Sequence, residues 1–247
     1  MTLQSFRFPC GIAVLLLLAA CSGGSAPPAA DPAQLAKAQQ EAKAAKQLAL
    51  YEQMRSSGSI DLAASLGSEV VSTYPGTAAA AQVRKTLDDV RAKAAQKAET
   101  QRLARLWAYN AVPEAGGTQF TGAIESKQPL KPGADKKSRR IRLVLRQHPK
   151  WGQSVYLLLD NATFDCRKGC ATLPVSFDGA KAERMKATIP PTGEPALFID
   201  DDKGFIAKMQ KAKSVAIDVT LKDDGEQTEM FEVGGYDPAK LPNKPKK

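Results

Sequence analysis

Histidine is almost missing from this chain: His148 is the single one among 247 residues, and aromatic residues make up only 6%. A Ser-His-Asp hydrolase needs a histidine set between a nucleophile and an acid, and no serine lies in a G-x-S-x-G elbow. His148 precedes Pro149 in an HPKWG turn, where an exposed turn residue is expected rather than a general base. Ligands for zinc are equally scarce. Cysteine occurs four times, at 10, 21, 166 and 170, and a site built on the last two would need two further ligands. The run Asp200-Asp201-Asp202 lacks the twelve-residue spacing and closing glutamate of a calcium loop, and reads instead as the start of a helix. Neither an enzyme nor a cofactor is expected from this inventory. Long apolar runs are lacking too. The stretch from Gly11 to Ala20 falls well short of the ~20 residues that span a bilayer, so no lasting transmembrane helix is expected there.

What that N-terminus does contain is MTLQSFRFPCGIAVLLLLAAC: one basic residue (Arg7), a short apolar core and small residues before a cysteine. This is the pattern of a secretory signal peptide. The motif Leu18-Ala19-Ala20-Cys21 resembles the lipobox of bacterial lipoproteins. The resemblance implies that residues 1–20 are removed and that Cys21 carries the acyl chains that hold the chain to a lipid bilayer. Ser22, rather than aspartate, follows the cysteine. In Gram-negative lipoproteins that implies the outer membrane, with the protein facing the periplasm.

An exported chain lives where paired thiols oxidise. Once Cys10 is removed and Cys21 acylated, Cys166 and Cys170 are the remaining pair. An extended chain would hold their Cα atoms ~13 Å apart, whereas a disulfide needs ~4.4–6.8 Å, so the chain must bend, and Gly169 allows it. A redox couple would more commonly read C-x-x-C beside a βαβ unit. A structural disulfide is expected, with redox couple and metal half-site as the alternatives. Closing so short a loop restricts the unfolded chain by only roughly 2 kcal/mol.

Residues 21–33 form a Gly/Ser/Pro/Ala tether, and residues 34–106 a helical segment rich in alanine. The first helix runs to Ser56, with Leu35, Ala38, Ala42, Ala45, Leu48 and Ala49 as its expected apolar stripe. A second helix places Leu62, Leu66 and Val70 on one face, and a third, from about Ala78, places Val83, Leu87, Val90 and Ala94. The turn YPGTAAAAQVRKTL resembles the inter-helix turn of tetratricopeptide-type envelope lipoproteins; a simple helical hairpin or stalk fits equally well. From 107 to 237 the apolar period falls toward two. RIRLVLRQ, SVYLLLDN, TLPVSF, a segment near Met185, EPALFI, SVAIDVTL and TEMFEV read as strands, Asp178-Gly179 as a hairpin turn, and DDDKGFIAKMQKAK as one short helix. The expected fold is α+β: a helical hairpin or stalk, then an antiparallel β-sandwich or partly open barrel. Residues 238–247 read as a basic Pro/Lys tail.

Trp107-Ala108-Tyr109, Leu143–Arg146, Phe164 to Cys166, VSFDG, LFI, the KAKSV segment and FEVGGY follow one another in the order of a bacterial envelope module. That module is similar to the β-domains of some type VI secretion accessory proteins, and it implies a small exported β-domain. Charge supplies a hint of a partner. Residues 127–150 hold nine basic residues and one acid, in a chain of net charge +9. Nucleic acid is not expected in that compartment. Arg140, Arg142, Arg146 and Lys150 are the candidate residues for an anionic lipid headgroup, an anionic glycan or an acidic envelope protein. The function expected is a non-catalytic binding or scaffolding role in the envelope, with an accessory or inhibitor of a secretion apparatus as the alternative.

Overall fold

The structure is a computed structural model that describes residues 31–130, 139–160, 163–165, 172–191, 194–222 and 225–242. Cys21, Cys166 and Cys170 lie outside the described residues, and with them the expected lipid anchor and disulfide.

The fold is α+β. Three helices come first: α1 (Pro32–Ser56), α2 (Ile60–Thr73) and α3 (Ala78–Arg105). Local chemistry sets their ends. The Asp31 carboxylate accepts from the Ala33 N–H ahead of Pro32, and the Thr77 hydroxyl accepts from the Ala80 N–H. Tyr74-Pro75-Gly76 breaks the chain between α2 and α3, and the Pro75 carbonyl accepts from Arg84 at 2.9 Å. Their shared core consists of Ala44 and Tyr51, Ala63 and Val70, and Ala79, Ala80, Val83, Leu87 and Val90. Gly67 lies in the middle of it. A Cβ there would stand 2.8 Å from both the Leu87 and the Tyr51 side chains. The Tyr51 hydroxyl is satisfied by Thr86 Oγ1 at 2.8 Å.

The expected stripe of α1 is displaced. Leu35 is 51% exposed and Ala38, Ala42, Ala45 and Ala49 face solvent, while Ala44 and Tyr51 are buried. In a helix this rich in alanine the face is set by its large residues, Tyr51 with Leu48 (a member of the expected stripe) and Met54 packed beside it, and not by the commonest residue. On α2 the buried face is likewise Ala63, Gly67 and Val70, with Leu62 59% exposed. α3 buries Val83, Leu87 and Val90, as its spacing predicts.

The rest is a nine-stranded antiparallel sheet among the described residues: β1 (Trp107–Glu114), β2 (Gly117–Glu125), β3 (Ile141–His148), β4 (Gly152–Leu159), β5 (Thr172–Phe177), β6 (Glu183–Thr188), β7 (Ala196–Ile199), β8 (Val215–Leu221) and β9 (Gly225–Phe231), in the order β1-β2-β3-β4-β7-β6-β5-β8-β9. β6 turns the corner: Glu183–Lys186 pair with β5, then Ala187 and Thr188 pair with β7. The sheet therefore curls around one core without closing. The segment leaving β2 meets β9 through a backbone bond, from the Lys127 N–H to the Met230 carbonyl at 2.7 Å. α4 (Asp202–Met209) plugs one end with Phe205 and Met209, both fully buried. Leu241, in the segment expected as a basic tail, also joins this core.

Two of the recurring sequence features explain themselves in three dimensions. Asp178 and Gly179 adopt positive φ (50° and 72°) in a tight turn closed by the Ala180 N–H on the Phe177 carbonyl. The Asp178 carboxylate then accepts from the N–H groups of Lys213 and Ser214, both at 2.8 Å, which ties VSFDG to KAKSV. Trp107 lies 5.2 Å from Tyr236 and 6.0 Å from Tyr109, so the first and last aromatic motifs of the β-domain form one corner.

Candidate functional site

β3 sends Ile141, Leu143 and Leu145 into the core, where all three are fully buried. Strand side chains alternate between faces, so Arg142, Val144, Arg146 and His148 belong to the outer face. Register places Arg146 opposite Ser154 and Val144 opposite Tyr156 on β4, and Tyr156 opposite Phe198 on β7. The Tyr156 and Phe198 rings are 4.8 Å apart. Burial pushes the Tyr156 phenol above its ordinary pKa, against the opposing pull of Arg146 and Arg142.

Arg146 is the centre of this face. Its Cζ lies 5.5 Å from the Trp151 ring, 5.5 Å from Tyr156 and 5.9 Å from Phe198, and its Nε donates to Ser154 Oγ at 3.1 Å. Three rings around one guanidinium hold it by cation–π attraction and shield it from water. Trp151 is fixed from below. His148 Nδ1 accepts from the backbone N–H groups of Lys150 (3.1 Å) and Trp151 (3.2 Å), and the indole stacks on the imidazole at 3.9 Å and 16°. This corrects the expectation for His148. It ends β3 only 7% exposed, because Trp151 folds back over it. By accepting from two backbone N–H groups the imidazole organises the turn.

The four candidate cations do not stand alike. Arg140 precedes β3 and donates to the carbonyls of Ser126 and of Lys127 (2.7 Å), with Glu125 3.7 Å away. Arg142 Nη2 donates to both carboxylate oxygens of Asp160, at 2.8 and 2.9 Å. Both cations are thus engaged by the fold itself. Lys150 is exposed in the turn beside Trp151, and neither it nor Arg146 meets a carboxylate among the described residues. Trp151, Tyr156 and Phe198 were not foreseen as part of a site. The available signal was SVYLLLDN, apolar on both faces, next to HPKWG.

Asp200 and Asp201 act within the protein. Asp201 caps α4 by accepting from the Gly204 N–H at 3.0 Å, and Asp200 accepts from the Thr188 hydroxyl at 2.9 Å. Among the described residues no group of three or more His, Cys, Asp or Glu could hold a metal ion, and no helix is long and apolar enough to cross a membrane. A cleft lies along β5, β6, β8 and β9 and contains Asp165, Arg184, Asp218 and Glu226.

No protein-family model matches the chain, and no curated protein does. Among solved structures it is similar to invasion associated protein B from Bartonella henselae, at 12% identity and a TM-score of 0.35, over 55% of this chain and 89% of that one.

Proposed function

We propose that this chain is a lipid-anchored envelope protein with a non-catalytic binding role, attached to the periplasmic side of the outer membrane through an acylated Cys21, with Cys166 and Cys170 bridged. The binding surface is the outer face of β3, β4 and β7. The observation that carries it is Arg146: a guanidinium framed by three aromatic rings, with one hydrogen bond to a neutral hydroxyl and no carboxylate among the described residues. A charge in that state gains from an anionic group brought to it, because the surrounding rings reduce the competition from water. The address rests on the LAAC motif and the tether that follows it. Two or more acyl chains anchor stably, at ~0.8 kcal/mol per buried methylene.

The test of the address is Cys21→Ser in the full chain, expressed with labelled palmitate and followed by membrane flotation. The wild type should take up label and float, and the variant should do neither. Label entering the variant would rule out the anchor.

A further inference from the structure

On the reading of this face as the binding surface, its side chains also point to what it binds. β3, β4 and β7 are interior strands, each paired on both sides. Their backbone groups are spent on the sheet, and an extended peptide finds no free edge here to add itself as a strand. Recognition falls to side chains. Arg140 and Arg142 are held by Glu125, Asp160 and backbone carbonyls, which leaves Arg146 and Lys150 to meet charge. Two cations are few for a lipid surface, where attraction grows with each added Lys or Arg. What remains is one planar, preorganised guanidinium beside an indole that is 67% exposed and braced against His148, with the Tyr156 phenol at its other side.

A fork of N–H donors matches a carboxylate in a bidentate fashion. A braced indole offers a flat apolar plate with little conformational entropy left to lose. A sugar ring has the matching shape: an apolar face of C–H groups, hydroxyls around its rim, and in acidic sugars a carboxylate on a substituent.

We propose that Arg146 and Trp151 form a subsite for a carboxylated glycan, the carboxylate on the Arg146 guanidinium and the sugar face on the indole. Lys150 and the Tyr156 hydroxyl border it and reach the rim hydroxyls or a neighbouring charge.

The experiment is calorimetric titration of the full chain with matched probes. One probe is peptide-free glycan strands of alternating N-acetylglucosamine and N-acetylmuramic acid, whose lactyl groups carry free carboxylates. The second is chitooligosaccharide of equal length, which has the acetylated sugars but no carboxylate. Poly-glutamate and vesicles containing anionic phospholipid complete the set. The carboxylated strands should bind at least tenfold more tightly than chitooligosaccharide. Arg146→Ala and Trp151→Ala should each cost about tenfold or more. Arg146→Lys should recover little, because lysine lacks the fork, whereas Trp151→Phe should recover much. Arg184→Ala, on the opposite half of the sheet, should change nothing. Circular dichroism of each variant verifies that it folds. Equal affinity for the two glycans, or carboxylate binding indifferent to Arg146, overturns the proposal. Binding of poly-glutamate or vesicles in an Arg146-dependent way, with no response to glycan, also overturns it while leaving the binding face itself standing.

Discussion

Glu229 and Glu232 lie three residues apart, and their surroundings drive them in opposite directions. Glu229 is 4% exposed, and burial raises its pKa, only partly opposed by Ser126 and Arg140, which face it. Glu232 is held below the ordinary carboxylate range, first by hydrogen bonds from Arg102 at 2.9 and 3.3 Å and then by Lys127 at 3.5 Å. A raised carboxylate contributes stability that is complete below its unfolded pKa and is lost as pH rises through the folded value; a lowered one contributes above its unfolded pKa and loses it as pH falls. As pH rises from about 3 to about 7 the wild type should therefore gain stability relative to Glu232→Gln below the ordinary carboxylate pKa of 4.5, and lose it relative to Glu229→Gln above that value. Urea midpoints for the three proteins across that range decide the matter, and two trends of the same sign would refute it. The site itself was half legible. Arg146 follows from strict alternation in RIRLVLRQ, and Trp151 and Tyr156 come with the local β3–β4 hairpin, but Phe198 depends on β7 pairing with β4, a contact no local pattern contains. Nor does the sequence reveal that Asp160 and Glu125 engage Arg142 and Arg140, since that depends on where strands end.

Gly67 decides how closely α2 approaches its neighbours. Glycine inside a helix costs about 1 kcal/mol relative to alanine, so an exposed helical glycine gains by the change. Here the added methyl would meet Leu87 and Tyr51 at 2.8 Å, and both are almost fully buried with nowhere to retreat. Overpacking of this kind costs about 1–3 kcal/mol. Gly67→Ala should then destabilise the helical part by about 1–2 kcal/mol, the strain outweighing the propensity. A rise in its melting midpoint would mean that the two side chains yield. The helices as elements were plain in the sequence, since Gly58 and Pro75-Gly76 punctuate them. Which face they bury was plain only for α3, whose valines and leucines mark it. Seven strands were foreseen, and nine are present among the described residues. The missed pair, β1 and β2, is solvent-exposed over most of β1 and carries Pro113 and the Gly116-Gly117 turn. A hairpin with so little apolar alternation leaves almost no period to read.

The molecule has two cores that share no residue. Among the described residues the helical one has nine buried apolar members, four of them alanines, against twenty-six around the sheet. Where they meet, α3 runs against the turn Val233–Gly235. A Cβ on Gly235 would lie 2.2 Å from the Leu103 carbonyl carbon, so only glycine permits the approach that also brings Arg102 to Glu232. Buried apolar area is the main source of stability, and an alanine buries little of it. The helical part should thus unfold at lower denaturant than the sheet. The two tryptophans make this measurable, because Trp107 and Trp151 both belong to the β-domain, while far-ultraviolet circular dichroism is dominated by α1, α2 and α3. The dichroism midpoint should fall below the fluorescence midpoint, and Gly67→Ala should widen the gap by moving the first alone. Gly235→Ala, which strains the junction rather than either core, should move both. Coincident transitions in the wild type, the signature of all-or-none unfolding, would mean that the contact of α3 with Val233–Gly235 is strong enough to make two cores behave as one.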